Sequence, residues 1–110
     1  MKKFVNYLLK ARDLIENGWT KGAMARKENR EFCSETNRNA VCFCASGAIR
    51  RVTRCEENRR KLFDLLAEQL PQSSSMFGSE SQVIDYNDDD NRRKKQIVRL
   101  FDKAIASLEK

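Results

Sequence analysis

A chain of 110 residues with 22 basic and 16 acidic side chains has room for one hydrophobic core and carries a formal charge of +6, which predicts a single domain over 1–110 and excludes a second independent core. The lack of any histidine removes the usual general base, every Ser-His or Cys-His nucleophile pair and all histidine metal sites, so a non-enzyme without cofactor is expected. No apolar run reaches the roughly 18 residues of a membrane span, and Lys10, Arg12 and Asp13 interrupt the apolar N-terminal stretch as no signal peptide would allow. A soluble, cytoplasmic protein with no membrane contact is expected.

In chain order, Phe4, Tyr7, Leu8, Ala11, Leu14 and Ile15 recur at i, i+3, i+4 spacing and predict a helix over Lys3–Asn17 with one apolar stripe. Gly18 is placed to end it in the left-handed conformation, with Trp19 folding back on the last turn. Residues 20–39 hold no period; Ala23, Met24 and Ala25 suggest an extended piece followed by a turn at Glu28, Asn29 and Arg30, so a loop or short strand pair is expected.

The stretch from Ala40 to Arg50 is small or apolar on every side with a single charge at its end. It predicts a central buried helix running from an Asn39 N-cap to Arg54, with Ala45, Ser46, Gly47 and Ala48 admitting close neighbours. Arg50, Arg51 and Arg54 then sit where positive charge complements the helix dipole. A third helix is expected over Glu56–Leu70, with Leu62, Phe63, Leu66 and Leu70 on its core face and Pro71 as its stop.

Residues 71–82 are Ser-rich and predict an exposed, mobile loop onto which Met76 and Phe77 dock back. Val83–Tyr86 reads as extended, and Asn87 or Asp88 as the cap of a last helix. Its first turn is Asp88, Asp89 and Asp90, and its core face is Ile97, Leu100, Phe101, Ala104, Ile105 and Leu108. The fold class that follows is mainly α: one four-helix domain, a central apolar helix, and a short β element from residues 20–32 and 83–86.

Site chemistry is mostly excluded. Cys33, Cys42, Cys44 and Cys55 lack paired C-x2-4-C knuckles, and in a helix Cys42 and Cys44 point about 200° apart, so no metal site is expected and the thiols read as free. Asp85, Asn87 and Asp89 match the start of a calcium loop, but Asp90 stands where glycine is required and Gln96 where glutamate is. No P-loop or dinucleotide fingerprint occurs.

Three segments, Gly18-Trp19-Thr20-Lys21-Gly22-Ala23, Phe43-Cys44-Ala45-Ser46-Gly47-Ala48-Ile49 and Tyr86-Asn87-Asp88, followed by Ala104-Ile105, resemble a family of short phage and bacterial proteins known as a domain of unknown function. Phe43 and Tyr86 stand where that family has tryptophan. The resemblance implies a compact helical fold and a phage-associated origin, and supplies no catalytic residues.

Three functional expectations follow. The first is a small non-enzymatic interaction protein, a phage factor that binds and modulates or inhibits a host defence protein. The second is a nucleic-acid binder whose phosphate contacts come from Lys21, Arg26, Lys27, Arg30, Arg50, Arg51, Arg54, Arg92, Arg93, Lys94 and Lys95; residues 1–30 alone hold 8 basic and 3 acidic side chains. The third is a small-ligand or nucleotide module with Trp19, Tyr86, Asn87 and Asp88 lining a pocket. Oligomeric state has no signature in the sequence.

Overall fold

The computed structural model describes residues 2–71 and 78–109. Within them the chain is mainly α with a small three-stranded antiparallel sheet, and it has five helices where the apolar periodicity predicts four. None of these helices is long and apolar enough to cross a membrane.

Helix α1, Lys2–Asn17, forms as its stripe dictates: Leu8, Ala11 and Ile15 are fully buried, and Phe4, Tyr7 and Leu14 pack at the edge of the core. Each fully buried Leu or Ile stabilises by about 1.5–3 kcal/mol. Gly18 corrects the left-handed cap expectation. Among the described residues those with positive φ are Gly22, Gly78 and Arg30, and Gly18 is instead a point of close approach, where a Cβ would lie 2.2 Å from the Val41 carbonyl oxygen. That proximity lets Phe43 N donate to Gly18 O at 2.9 Å and Thr20 N to Phe43 O at 3.2 Å.

The strand pair expected in residues 20–39 is present. Strand β1, Ala25–Lys27, pairs with β2, Phe32–Cys33, across a turn in which Arg30 takes φ 78°. The Asn29 side chain shapes this turn by accepting from Glu31 N at 3.0 Å.

The central helix is shorter than expected. Residues Ala40–Phe43 form strand β3 on the other edge of β1, giving the order β2-β1-β3, and α2 covers only Ala45–Val52. Val41 and Phe43 suit a strand, and β1 offers a ladder of hydrogen bonds that an apolar run read alone does not reveal. Asn39 is therefore not the cap. Cys44 is, its Sγ accepting from Gly47 N at 3.2 Å while its own N–H donates to Met24 O at 3.2 Å. The five residues Ala45 to Ile49 are all buried, so the centre of the core is where the small residues place it.

Helix α3, Glu56–Ala67, buries Leu62, Phe63, Leu65 and Leu66, and Leu70 packs just beyond its end. The expected Ser-rich loop falls partly outside the described residues, including Met76 and Phe77. Of its remainder, 79–82 is helical: Ser79–Asp88 is helix α4, which packs on α3 and replaces the extended piece expected at 83–86. Only Val83 and Asn87 of α4 are buried, at i and i+4, and tertiary contacts override its weak apolar pattern.

The acidic run accordingly lies at the C-terminal end of α4 and in the following turn, not in a first turn. Lys21 Nζ offsets the end of that helix by donating to the carbonyls of Asp89 and Asp90 at 2.6 and 3.1 Å. Helix α5, Lys94–Leu108, starts at an Arg93 cap whose N–H donates to Gln96 Oε1 at 2.8 Å. It buries Ile97, Val98, Leu100, Phe101, Ala104 and Ile105 against α1.

Candidate functional site

Asn87 is fully buried on α4 and uses its whole carboxamide. Its Oδ1 accepts from Trp19 Nε1 at 2.8 Å and from Ala45 N, the first residue of α2, at 3.0 Å. Its Nδ2 donates to Thr20 O at 3.1 Å and to Asp88 Oδ1 at 3.0 Å. One side chain thus ties together the end of α1, the start of α2 and α4. Asp88 completes the seam by accepting from Gly22 N at 3.1 Å.

Of the four residues expected to line a pocket, Trp19, Asn87 and Asp88 are brought together by these bonds. Tyr86 points elsewhere, its ring 3.6 Å from the Arg92 guanidinium, which also donates to Tyr86 O at 2.8 Å. A cleft of about 270 Å³ beside the seam is lined by Gly22, Ala23, Met24, Cys44, Ile84 and Asp88. Asp88 is the one expected pocket residue in that lining. Burial pushes the Cys44 thiol up to about 11, so it stays protonated and is a poor nucleophile in the cleft. Cys33 and Cys42 are half-buried and Cys55 is exposed, all as free thiols. Among the described residues no three Cys, Asp or Glu side chains converge as metal ligands would.

The eleven cations named from the sequence are spread over the hairpin, α2 and the junction between α4 and α5, and six of them are held by internal acceptors. Lys21 caps α4 as described. Arg26 reaches Thr20 Oγ1, Lys21 O and Arg30 O at 2.7, 3.1 and 3.0 Å. Arg51 donates to Glu35 O and Asn37 O at 3.0 and 2.8 Å, Arg92 stacks on Tyr86, and Lys94 reaches Glu16 O at 3.0 Å. Arg50 grips Glu80 with two bonds of 2.7 Å. Arg93 caps α5, while the side chains of Lys27, Arg30, Arg54 and Lys95 make no hydrogen bond or ion pair among the described residues.

The Arg50–Glu80 pair is a feature the sequence does not announce, because Glu80 sits in the Ser-rich stretch that conceals α4. Ser46, fully buried, donates to the same carboxylate at 2.5 Å. Arg59 covers the C-terminal carbonyls of α2, reaching Thr53 O and Arg50 O at 2.7 and 2.9 Å, which puts Arg59 in the helix-end role expected of Arg54. Arg50, Arg59, Phe63, Asp64 and Glu80 contribute to the walls of a second cleft, about 310 Å³.

The bonds from Arg50, and then from Ser46, hold the Glu80 carboxyl below its usual range, against the opposing effect of burial. An acid whose folded value is depressed contributes stability that is fully present above its unfolded value, about 4.3, and is lost as pH falls through the folded value. Urea titrations from neutral to acid pH are therefore expected to show a steeper loss of stability in the native chain than in Glu80→Gln. Parallel curves would remove Glu80 from the acid response.

Fold and seam together define a small, mainly helical structure with a minor sheet, its segments joined at Asn87 by buried and half-buried polar bonds. The chain belongs to a family of unknown function, DUF6197, whose profile matches residues 3–107. No curated protein and no solved structure matches it.

Proposed function

We propose that this chain is a small non-enzymatic interaction protein that engages a protein partner through the outer strands of its sheet. The observation that carries this reading is the exposure of Phe32, 78%, and Val41, 45%, on the two strands that flank β1. An aromatic side chain left in water forfeits about 25 cal/mol per Å² of apolar surface that a partner would recover, and aromatic anchors carry a large share of interface energy. Strand β2 is an edge strand, and its outward main-chain groups are the kind that extended segments of partners use. The internal use of six of the eleven candidate cations adds support, since those six are engaged within the protein and are not free to meet a polyanion.

The resemblance to phage and bacterial proteins supports a phage-encoded factor acting on a host protein, with inhibition of a defence protein as the form to test first. The test is a pull-down from host lysate with native chain, Phe32→Asp and Val41→Asp in parallel, read by quantitative mass spectrometry. A specific host protein retained by the native chain and depleted at least about tenfold by either variant is expected, since the loss of one central anchor costs about 2 kcal/mol or more. Equal retrieval by all three overturns the reading.

A further inference from the structure

We infer that the outward face of α5 is a contact surface for the phosphate backbone of nucleic acid, formed by Lys95, Arg99 and Lys103. These three follow one another at i, i+4 and i+8 and therefore stack along one side of the helix, about 12 Å from first to last. All three are exposed, and none makes a hydrogen bond or ion pair with another described residue. The helix turns its apolar residues, Ile97, Leu100, Phe101 and Ile105, into the core, so the cations face directly away from the protein.

The two acids held by Arg12 do not neutralise this row. Asp102 accepts from Arg12 Nε at 2.6 Å, and Asp13 turns to the same guanidinium at 3.9 Å. The three cations of the row and Arg12 carry four positive charges against the two carboxylates that Arg12 touches, which leaves a net charge of +2. The row contrasts with Arg50, Arg51, Arg26 and Lys21, whose donors are consumed by the protein itself.

Duplex DNA presents one phosphate per about 1.7 Å of its axis, so a 12 Å row of cations meets several without rearrangement. A lipid surface is the poorer fit, since an interfacial helix needs an apolar face free to enter the membrane, and that of α5 is buried in the core. The inference is independent of the sheet-edge reading, because α5 and the sheet are different elements and different variants test them.

The experiment is fluorescence anisotropy with labelled duplex DNA, duplex RNA and single-stranded DNA, and with phosphatidylserine vesicles as a separate arm. Three phosphate contacts give a slope of log K against log salt near −2.7 on duplex DNA, so affinity is expected to fall about 40-fold from about 50 to about 200 mM salt. The triple variant Lys95→Gln, Arg99→Gln, Lys103→Gln keeps good helix formers at exposed positions and is expected to lose at least tenfold in affinity at the lower salt. Each single Gln variant should flatten the slope by about 1, and Lys27→Gln on the hairpin should bind as the native chain does. Absence of binding to every nucleic acid at the lower salt overturns the inference. So does full binding by the triple variant, or a preference for the vesicles.

Discussion

Asn87→Leu is expected to destabilise the domain by about 3–6 kcal/mol, since two buried partners and the half-buried Trp19 lose their bond at once. Trp19 Nε1, Ala45 N and Thr20 O would each be left facing an apolar side chain of similar size, and each buried, unpaired group costs about 1–3 kcal/mol. A domain of this size has about 5–15 kcal/mol in all, and each kcal/mol moves Tm by about 4–8 °C, so the variant should melt more than 12 °C below the native chain. Asn87→Asp separates the contributions. It keeps the acceptor for Trp19 and Ala45 but sets a carboxylate oxygen against Thr20 O, and a carboxylate buried there is favoured in its protonated form. Its loss should therefore shrink as pH is lowered, whereas that of Asn87→Leu should not. Urea unfolding monitored by Trp19 fluorescence reads both variants; a loss below about 1 kcal/mol in Asn87→Leu would mean that the three partners find other bonds.

The parts of this fold that are legible in the sequence are those held by apolar periodicity. Helices α1, α3 and α5 announce themselves because Leu8, Ala11 and Ile15, or Ile97, Leu100, Phe101 and Ala104, recur at helical spacing and all become buried. The hidden parts are held by other means. Helix α4 has one buried apolar residue, Val83, and its second buried anchor is the polar Asn87, which a hydrophobic pattern scores as surface. Strand β3 and α2 run together in one apolar stretch, Ala40 to Ile49, and their boundary is a cysteine, which does not belong to the usual Ser, Thr, Asp and Asn caps. The candidate site fares the same way. The segments around Trp19, Phe43 to Gly47 and Asn87 stand out in the sequence, and the structure joins them at one seam; that they meet there depends on α4, which periodicity does not reveal. Phe32 is unmarked because a single aromatic in a polar stretch looks the same whether it is buried or exposed.

Gly47→Ala is expected to destabilise by at least about 3 kcal/mol or to prevent folding, although the same change in an ordinary helix interior stabilises by about 1 kcal/mol. The sign reverses because the first turn of α2 is pressed against the residue that leads into β1. A Cβ at position 47 would lie 1.9 Å from Met24 O and 2.8 Å from Met24 C, and both are main-chain atoms with no flexible end to swing aside. Relief requires α2 to lift away from Met24. That motion pulls on three bonds, Cys44 N to Met24 O at 3.2 Å, Gly47 N to Cys44 Sγ at 3.2 Å and Ala45 N to Asn87 Oδ1 at 3.0 Å. The clash therefore reaches the same seam that Asn87 closes, and the two sites are coupled: in the double variant Gly47→Ala, Asn87→Leu the losses should fall short of additive, since residues sharing a network interact by about 0.5–3 kcal/mol. Circular dichroism in urea reads the single and double variants. A neutral or stabilised Gly47→Ala would show that α2 is not seated on Met24, and strict additivity would show that the seam is not one unit.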